Sequence, residues 1–149
     1  MVLVRPMDFA DVASAATLVR DGSLTPEVEQ IGAIATYWLA VVENRARRGE
    51  VFVAQLDADV VGVCQLLIFP HFQHTGGWCG ELESVHVRRD LRSRGIGSML
   101  LAAAEALARD RNCYRVQLTS RNVRGEAHRF YRANGYEQTS QGFKKSLTG

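Results

Sequence analysis

The sequence has little of what marks membrane, secreted or nucleic-acid-binding proteins. Its longest apolar run, residues 99–104, is far shorter than the roughly 20 residues that a transmembrane helix needs. The three cysteines are odd in number and form no Cys-x-x-Cys pair, which favours a reducing, cytoplasmic compartment. The net charge of +2 is too small to imply a nucleic-acid or membrane partner. Charged residues near the start, among them Arg5 and Asp8, predict that no signal peptide is present.

What the sequence does contain predicts one domain over residues 1–149. Hydrophobic residues make up 46% of the chain and charged residues 23%, as in ordinary globular proteins. A chain of this length can bury roughly 68–70% of the surface of its unfolded form, so a substantial core is expected. No repeat, linker or low-complexity tract interrupts the sequence.

Hydrophobic periodicity predicts alternating strands and helices. Strands are expected at residues 2–5, 50–56, 60–69, 81–87 and 114–119, with a closing pair at 136–139 and 143–147. The second helix should begin at Thr25 and Pro26, which suit a helix N-cap and first turn, and end before Gly49. Its predicted apolar face comprises Ile31, Ala35, Trp38, Leu39 and Val42. The element order β-α-α-β-β-β-α-β-α-β-β indicates an α/β fold with a mixed sheet.

The most informative stretch is residues 81–101, where a strand turns through a basic loop into a helix. Strict alternation predicts two faces of the strand: Glu81, Glu83, Val85 and Val87 on one, and Leu82, Ser84 and His86 on the other. The loop then carries an arginine cluster and two glycines, Gly95 and Gly97. Unpaired N–H groups at a helix start, the helix dipole and nearby arginines all favour a bound phosphate.

Alternatives to a phosphate site of this kind fit these residues less well. The phosphate-binding pattern Gly-x-x-x-x-Gly-Lys is absent, and the third glycine of a dinucleotide-binding fingerprint is missing after Gly97. A tight strand–helix connection without a ligand explains the glycines but leaves the arginine cluster unexplained. Zinc would have to be bound by His71, His74 and Cys79, which are crowded in one loop without the paired spacing of known sites, so we expect no metal.

Two segments of the chain resemble the GNAT superfamily of acetyl-CoA-dependent N-acetyltransferases. The family's loop signature (Arg or Gln, two residues, Gly, one residue, Gly or Ala) is matched by Arg92, Gly95 and Gly97. The family's later helix has Ala, Phe-Tyr, Gly and an aromatic residue in that order, matched by Ala127, Phe130, Tyr131, Gly135 and Tyr136. The element order fits along essentially the whole chain. The resemblance implies a mixed, mostly antiparallel sheet flanked by helices.

The same resemblance implies that acetyl-CoA binds as cosubstrate between the strands at residues 81–87 and 114–119. Loop amides would hold the coenzyme A pyrophosphate, and the strand backbone would pair with the pantetheine arm. The implied cofactor-binding residues are Val85, His86, Val87, Arg92, Ser93, Arg94, Gly95, Ile96, Gly97, Ser98 and Phe130. Many family members also carry an Asn seven residues before the tyrosine. Here Arg124 stands at that position and Asn122 lies two residues earlier, so the role stays open between them.

For catalysis, the resemblance implies that Tyr131 is the acid and that a strand glutamate is the base. An acceptor amine must lose a proton before it attacks, and Glu83 is the first candidate to take it, with Glu81 the second. The Val85 amide would polarise the thioester carbonyl. The alternatives are that one glutamate only binds a cationic substrate or forms an ion pair, and that Tyr131 only packs beside Phe130.

Two classes of function follow from these residues. The first is an N-acetyltransferase that moves an acetyl group directly to a primary amine of a small molecule, peptide or protein. The second is a non-catalytic acyl-CoA-binding regulatory module that uses the same cleft. The amine acceptor should lie between the second helix, near Tyr37 and Trp38, and the loop at residues 71–78. Because the family often forms homodimers, a second copy of this chain is a further expected partner.

Overall fold

A five-stranded sheet forms the centre of the computed structural model, in which residues 1–148 are described. The strands lie side by side in chain order: β1 Val2–Pro6, β2 Glu50–Leu56, β3 Asp59–Pro70, β4 Trp78–Val87 and β5 Cys113–Gln117. Each of the first four is antiparallel to its neighbour, whereas β5 runs parallel to β4. The predicted α/β class with a mixed, mostly antiparallel sheet is therefore confirmed.

Helices cover both faces of this sheet. In chain order they are α1 Val12–Gly22, α2 Ile34–Ala46, the single turn α3 Gln73–Gly76, α4 Ile96–Asp110 and α5 Gly125–Ala133. One core, which includes Val12 and Val41, lies between the sheet and α1–α2. The other, which includes Leu82 and Leu100, lies between the sheet and α4, and α5 packs on it through Phe130. None of the helices within residues 1–148 is long and apolar enough to cross a membrane.

The second helix begins later than the sequence predicts. The predicted start at Thr25 and Pro26 is wrong, because this segment makes one 3-10 turn and becomes extended at Glu29. Leu39 and Val42, predicted to lie in the apolar face, are 57% and 43% exposed. The helix instead turns inward the positions i, i+3, i+4 and i+7 from its first residue: Ile34, Tyr37, Trp38 and Val41. Because the predicted face is counted from Ile31, it is rotated around the helix axis relative to the face observed from Ile34.

The strands predicted at residues 136–139 and 143–147 are also wrong, since within residues 1–148 the chain after α5 contains no strand. Phe143 and Leu147 are each 92% exposed, and most of the segment is polar. A hairpin here would bury too little apolar surface to offset the conformational entropy it loses. The first nine elements of the predicted order match once the short turn α3 is set aside.

An ion pair joins β1 to the segment that leads into α1. Arg5 donates from Nη1 to Oδ2 of Asp11 at 2.7 Å and from Nη2 to Oδ1 at 3.0 Å. The Asp8 backbone N–H donates to the same carboxylate at 2.7 Å. Asp11 is buried, and the Arg5 hydrogen bonds outweigh that burial and hold the pKa of its carboxyl below the usual range. The pair therefore fastens an edge strand to the helix layer with a fully ionised contact.

Candidate active site

A gap opens in the sheet between β4 and β5. The two strands pair from Trp78 opposite Cys113 to Glu81 opposite Gln117, where the ladder ends. Beyond that point β4 continues beside β3, whereas the chain after Gln117 leaves the sheet. An open cleft of about 1360 Å³ follows the gap and is lined by β4, β5, α5, part of α4 and the C-terminal segment. Its volume is sufficient for a ligand larger than a typical drug molecule.

A β-bulge in β4 decides which side chains face each side of the gap. Gln65 of β3 lies opposite Glu83, but Val63 lies opposite His86, so β4 has one residue more than β3 over this stretch. Ser84, within the bulge, adopts a left-handed backbone with φ of 52°. Because the extra residue breaks the two-residue repeat, strict alternation does not hold along the whole of β4.

The bulge reverses the predicted facing of the residues that follow it. Val85 and Val87 pack with Leu82 on the core beneath α4, so their predicted place beside the glutamates is wrong. His86 lies opposite Val63, a member of the α1–α2 core, and therefore shares that face. The two glutamates of β4 lie on the α1–α2 face as well, by their register with β3. The carboxylates and the two valines thus face opposite sides of the sheet.

The loop between β4 and α4 leaves an exposed helix start. Gly95, with φ of 83°, is the residue before the helix, and no side chain caps the first N–H groups. A Cβ at this position would meet nothing within 4 Å, so no other part of the described chain packs against Gly95 on that side. Arg92 donates from Nε to the Val87 carbonyl at 3.2 Å, which holds the loop against the end of β4. This geometry suits an anion.

Gly97 has a different role from Gly95. A Cβ on Gly97 would lie 2.8 Å from Cζ of Phe130, a distance that no real Cβ contact tolerates. The absence of a side chain therefore lets α5 pack closely on α4. The Phe130 ring in turn lies 5.2 Å from the Tyr131 ring, centroid to centroid. The second glycine of the loop thus contributes to the placement of Tyr131.

Tyr131 lines the cleft from α5. Burial, with a smaller contribution from Cys64, raises the pKa of its phenol to about 12, and the positive charge of Arg124 opposes the shift. The phenol is therefore protonated at neutral pH. No hydrogen bond from another residue of the described part of the chain holds this hydroxyl, so it is free to act on a ligand.

Two carboxylates lie on the other face of the gap. Nε2 of Gln117 donates to Oε1 of Glu81 at 3.2 Å, and Oε1 of Gln117 accepts from Nε of Arg115 at 2.9 Å. Glu83, further into the gap, has no hydrogen-bond partner among residues 1–148. Partial desolvation and then the charge of Glu81 raise the pKa of Glu83, while Lys144 acts in the opposite direction. One carboxylate is therefore anchored and the other is free.

His86 is fixed at a junction of α1, β4 and α5. A Cβ on Gly22 would lie 2.2 Å from Nδ1 of His86, so the end of α1 touches the imidazole ring directly. Arg124 donates from Nη2 to the Gly22 carbonyl at 2.8 Å. Burial, followed by the charges of Arg124 and Arg92, lowers the pKa of His86 to about 4. The imidazole is therefore neutral at physiological pH, and its side chain is directed toward α1.

The sequence matches a model of the "Acetyltransferase (GNAT) family" over residues 20–136. The chain belongs to this family. An aminoalkylphosphonate N-acetyltransferase of Salmonella typhimurium is 37% identical over 95 residues, which are 64% of this chain and 61% of that protein. A glucosamine 6-phosphate N-acetyltransferase of Trypanosoma brucei brucei is 32% identical over 83 residues, 54% of this chain and 56% of that protein. Both alignments span less than two thirds of the relative's own length.

A solved structure covers the whole fold. The crystal structure of a transcriptional regulator from Bacillus halodurans superposes with a TM-score of 0.90 and 27% identity, over 99% of this chain and 100% of that one. Together with the family match, this confirms the GNAT resemblance that the two motifs indicate. GNAT acetyltransferases use acetyl-CoA, so the family match also supports the predicted cosubstrate.

The residues predicted from the GNAT motifs fall into three groups around the gap. Tyr131, Phe130 and the two β4 valines lie on the α4 side. Glu81, Glu83 and the His86 side chain lie on the α1–α2 side. The loop and helix start, residues 92–98, adjoin the end of β4. Both Asn122 and Arg124 line the cleft, so each stays a candidate for the position that the family fills with Asn.

Two residues of the site carry no signal in the sequence. Gln117 is one polar position in an alternating strand, and only its parallel pairing with Glu81 shows that it reaches a carboxylate. Lys144 falls in the segment predicted as a closing strand, yet it lines the cleft and acts on Glu83. To identify Gln117 as a site residue, one needs to know which residue of β4 lies opposite it in the sheet.

The loop at residues 71–78, predicted to meet the acceptor, packs on β5. His74 stacks on Tyr114 with ring centroids 4.1 Å apart, and His71 forms a hydrogen bond with the Tyr114 hydroxyl. Cys79 is fully buried in β4. Among residues 1–148, no group of three or more His, Cys, Asp or Glu side chains is placed to hold a metal ion.

Proposed function

We propose that the protein is an acetyl-CoA-dependent N-acetyltransferase that moves an acetyl group to a primary amine by direct attack in a ternary complex. The observation that carries this proposal is the placement of Tyr131 and Glu83 at one gap but on opposite faces of the sheet. A proton donor and a proton acceptor arranged in this way serve two substrates that meet inside the gap.

The α4 side of the gap fits the cosubstrate. The uncapped helix start and the basic loop offer N–H groups and positive charge to the coenzyme A pyrophosphate, through Arg92, Ser93, Arg94, Gly95, Ile96, Gly97 and Ser98. The bulge interrupts the β3–β4 ladder next to Val85, and the β4 edge beyond Glu81 has no β5 partner, so Val85 and Val87 can pair with the pantetheine arm. When bound, acetyl-CoA supplies a thioester carbonyl that an amine can attack.

The α1–α2 side fits the acceptor. A simple alkylamine has a pKa near ~10.4, so it arrives mostly as an ammonium ion that a pair of carboxylates attracts. Glu83, whose oxygens are free of internal hydrogen bonds, takes one proton from that ion. The neutral nitrogen then has the lone pair that the new C–N bond requires.

Tyr131 holds the proton that the leaving group needs. As the C–N bond forms and the C–S bond breaks, the electron pair of the broken bond goes to sulfur, which takes the phenolic proton. The positive charge of Arg124 favours the phenolate that remains and so assists this transfer. The acylated nitrogen still carries one proton more than an amide, and its loss supplies the proton that returns to Tyr131. Glu83 releases the proton it took to solvent before the next turnover.

A non-catalytic acyl-CoA-binding regulatory module is the second candidate, and the description of the similar Bacillus halodurans structure as a transcriptional regulator favours it. Release of free thiol from acetyl-CoA separates the two candidates. The amines to test are an aminoalkylphosphonate, glucosamine 6-phosphate and a lysine peptide, which extend the chemistry named for the two enzyme relatives. Amine-dependent release supports the enzyme. Tight acetyl-CoA binding without release for any amine would support the module.

A further inference from the structure

Glu81 and Gln117 form the last pair of the parallel ladder between β4 and β5. The strands separate immediately beyond this pair, so the two side chains stand at the apex of the gap. A side-chain hydrogen bond joins them there, from Nε2 of Gln117 to Oε1 of Glu81 at 3.2 Å. Besides the backbone pairing, this side-chain hydrogen bond therefore links the two strands at the point where the cleft opens.

Arg115 fixes the direction of that bridge. A guanidinium group only donates, so the Gln117 atom 2.9 Å from Nε of Arg115 must be the amide oxygen. The amide nitrogen then faces Glu81, whose carboxylate accepts. Rotating the Gln117 amide by half a turn would set donor against donor on one side and acceptor against acceptor on the other. The chain Arg115–Gln117–Glu81 therefore has a single orientation.

The bridge makes the two carboxylates unequal. Glu81 is restrained at the apex, whereas Glu83 lies roughly 6.5 Å further along the strand and makes no hydrogen bond within residues 1–148. At such a separation a fixed negative charge shifts a neighbouring titration by on the order of one pH unit. A mobile Glu81 side chain would turn toward a cation or toward water, and this influence would be weaker.

Building on the proposed function, we propose that Gln117 is a positioning residue. Held by Arg115, it fixes the position of the Glu81 carboxylate beside Glu83, and Glu83 is thereby the group that takes the proton of the incoming ammonium ion. Burial first and then the charge of Glu81 raise the pKa of Glu83, and the second contribution agrees with this arrangement. The proposal explains why one glutamate of the pair is anchored and the other is free.

Other charged or titratable groups share the cleft with Glu83, and a test must leave them in place. They come from β4, β5, α4, α5 and the segments after β5 and α5, and they include Glu81, His86, Arg115, Arg124, Tyr131 and Lys144. The residue opposite Glu83 on β3, Gln65, is neutral. After burial, which raises the pKa of Glu83 most, the charge of Glu81 raises it further and the charge of Lys144 lowers it. The neutral substitution Gln117→Leu changes the Glu81 contribution without altering any of these charges.

Two substitutions separate a positioning role from a merely structural one. Gln117→Glu keeps the side-chain length and a partner for Arg115, but it places a carboxylate against Glu81. Gln117→Leu removes both hydrogen bonds. If Gln117 only anchors Arg115, Gln117→Leu leaves the Glu83 titration at its wild-type midpoint. Gln117→Glu adds a charge of its own and serves as the reference for the size of shift that a charge at this place produces. Gln55→Leu is the matched control, because Gln55 accepts from Nε of Arg5 at 3.0 Å on β2, away from the gap.

The first readout needs no acceptor: the titration of Glu83, followed by NMR of ¹³C-labelled carboxyl groups and assigned with Glu83→Gln. We expect Gln117→Glu to raise its midpoint by about one pH unit and Gln117→Leu to lower it by about half a unit. The acid limb of kcat/KM for the amine should move by the same amounts. The KM for acetyl-CoA should stay within about twofold, since the substituted residue lies on the acceptor side.

Equal Glu83 midpoints in the wild type and Gln117→Leu would overturn the proposal. So would equal shifts in Gln55→Leu, or a shifted midpoint without a shifted acid limb. A wild-type protein that releases no thiol with any amine refutes the proposed function instead, and in that case the NMR titration still decides whether Gln117 fixes the charge beside Glu83.

Discussion

Replacing Gly22 with alanine should destabilise the fold through one contact, that with His86. The added carbon would lie 2.2 Å from Nδ1 and 2.9 Å from Cε1 of the ring, far inside van der Waals contact. Neither partner yields easily, because the ring is packed between α1 and β4 and Arg124 bonds to the Gly22 carbonyl. Overpacking of this kind costs about 1–3 kcal/mol.

The higher helix propensity of alanine should stabilise the Gly22→Ala variant, whereas the contact with His86 should destabilise it. Removing the His86 ring separates the two effects. Gly22 is the last residue of α1, and inside a helix alanine is favoured over glycine by up to about 1 kcal/mol. In a His86→Ala background the ring is gone, so Gly22→Ala should there be neutral or stabilising. The helix-propensity gain is the same in both backgrounds, so the coupling energy between the two positions should equal the overpacking cost of about 1–3 kcal/mol.

Urea unfolding of the four proteins of this cycle measures the effect, as a change in midpoint at constant slope. The melting temperature of Gly22→Ala alone should fall by about 2–4 °C per kcal/mol lost. Gly32→Ala is the control, since a Cβ there meets nothing within 4 Å. An equal loss for Gly22→Ala in the presence and absence of the His86 ring would show that the ring is not the cause.

Three further predictions concern the acid, the base and the ion pair. Tyr131→Phe should fold and bind coenzyme A but lose about 10²–10⁴-fold in kcat, and unchanged turnover would remove Tyr131 as the acid. Because the base must be ionised, kcat/KM should fall as pH drops through the raised pKa of Glu83, above the ordinary value near ~4.3, and this limb should vanish in Glu83→Gln. Asp11→Asn should cost about 1.5–3 kcal/mol near pH 7 by urea unfolding. Since the folded pKa of Asp11 is lowered, that difference should shrink as pH falls below ~3.9, and a pH-independent difference would contradict the Arg5 contact as its source.

The parts of the site that could be predicted from the sequence are those whose chemistry is local. A glycine before an apolar helix predicts a turn with positive φ, and Gly95 has it. The helix that carries Phe130 and Tyr131 is likewise indicated by its own spacing and by the Asn-Gly pair that ends it. In both cases the deciding interactions lie within a few residues of the motif, so no knowledge of distant partners is needed.

The parts that were missed depend on partners far away in the chain. Nothing about Ser84 as a residue indicates a bulge, which exists only because β4 pairs with β3 in a particular register. The start of α2 is set by which side chains reach the core, and this outweighed the good cap and first-turn residues Thr25 and Pro26. The predicted strands at residues 136–139 and 143–147 are absent for a related reason. Phe143 is suited to a strand, but it has no surface to pack on.

The extra residue in β4 has a consequence for anyone who alters the length of this protein. Loops tolerate insertions and deletions because their ends can adjust. Deleting Ser84 would instead give an unbroken two-residue repeat in which His86 and the two valines keep their present faces, but it would remove the left-handed residue and the break in the β3–β4 ladder beside Val85. Variant libraries should therefore vary β4 by substitution and keep its residue count fixed.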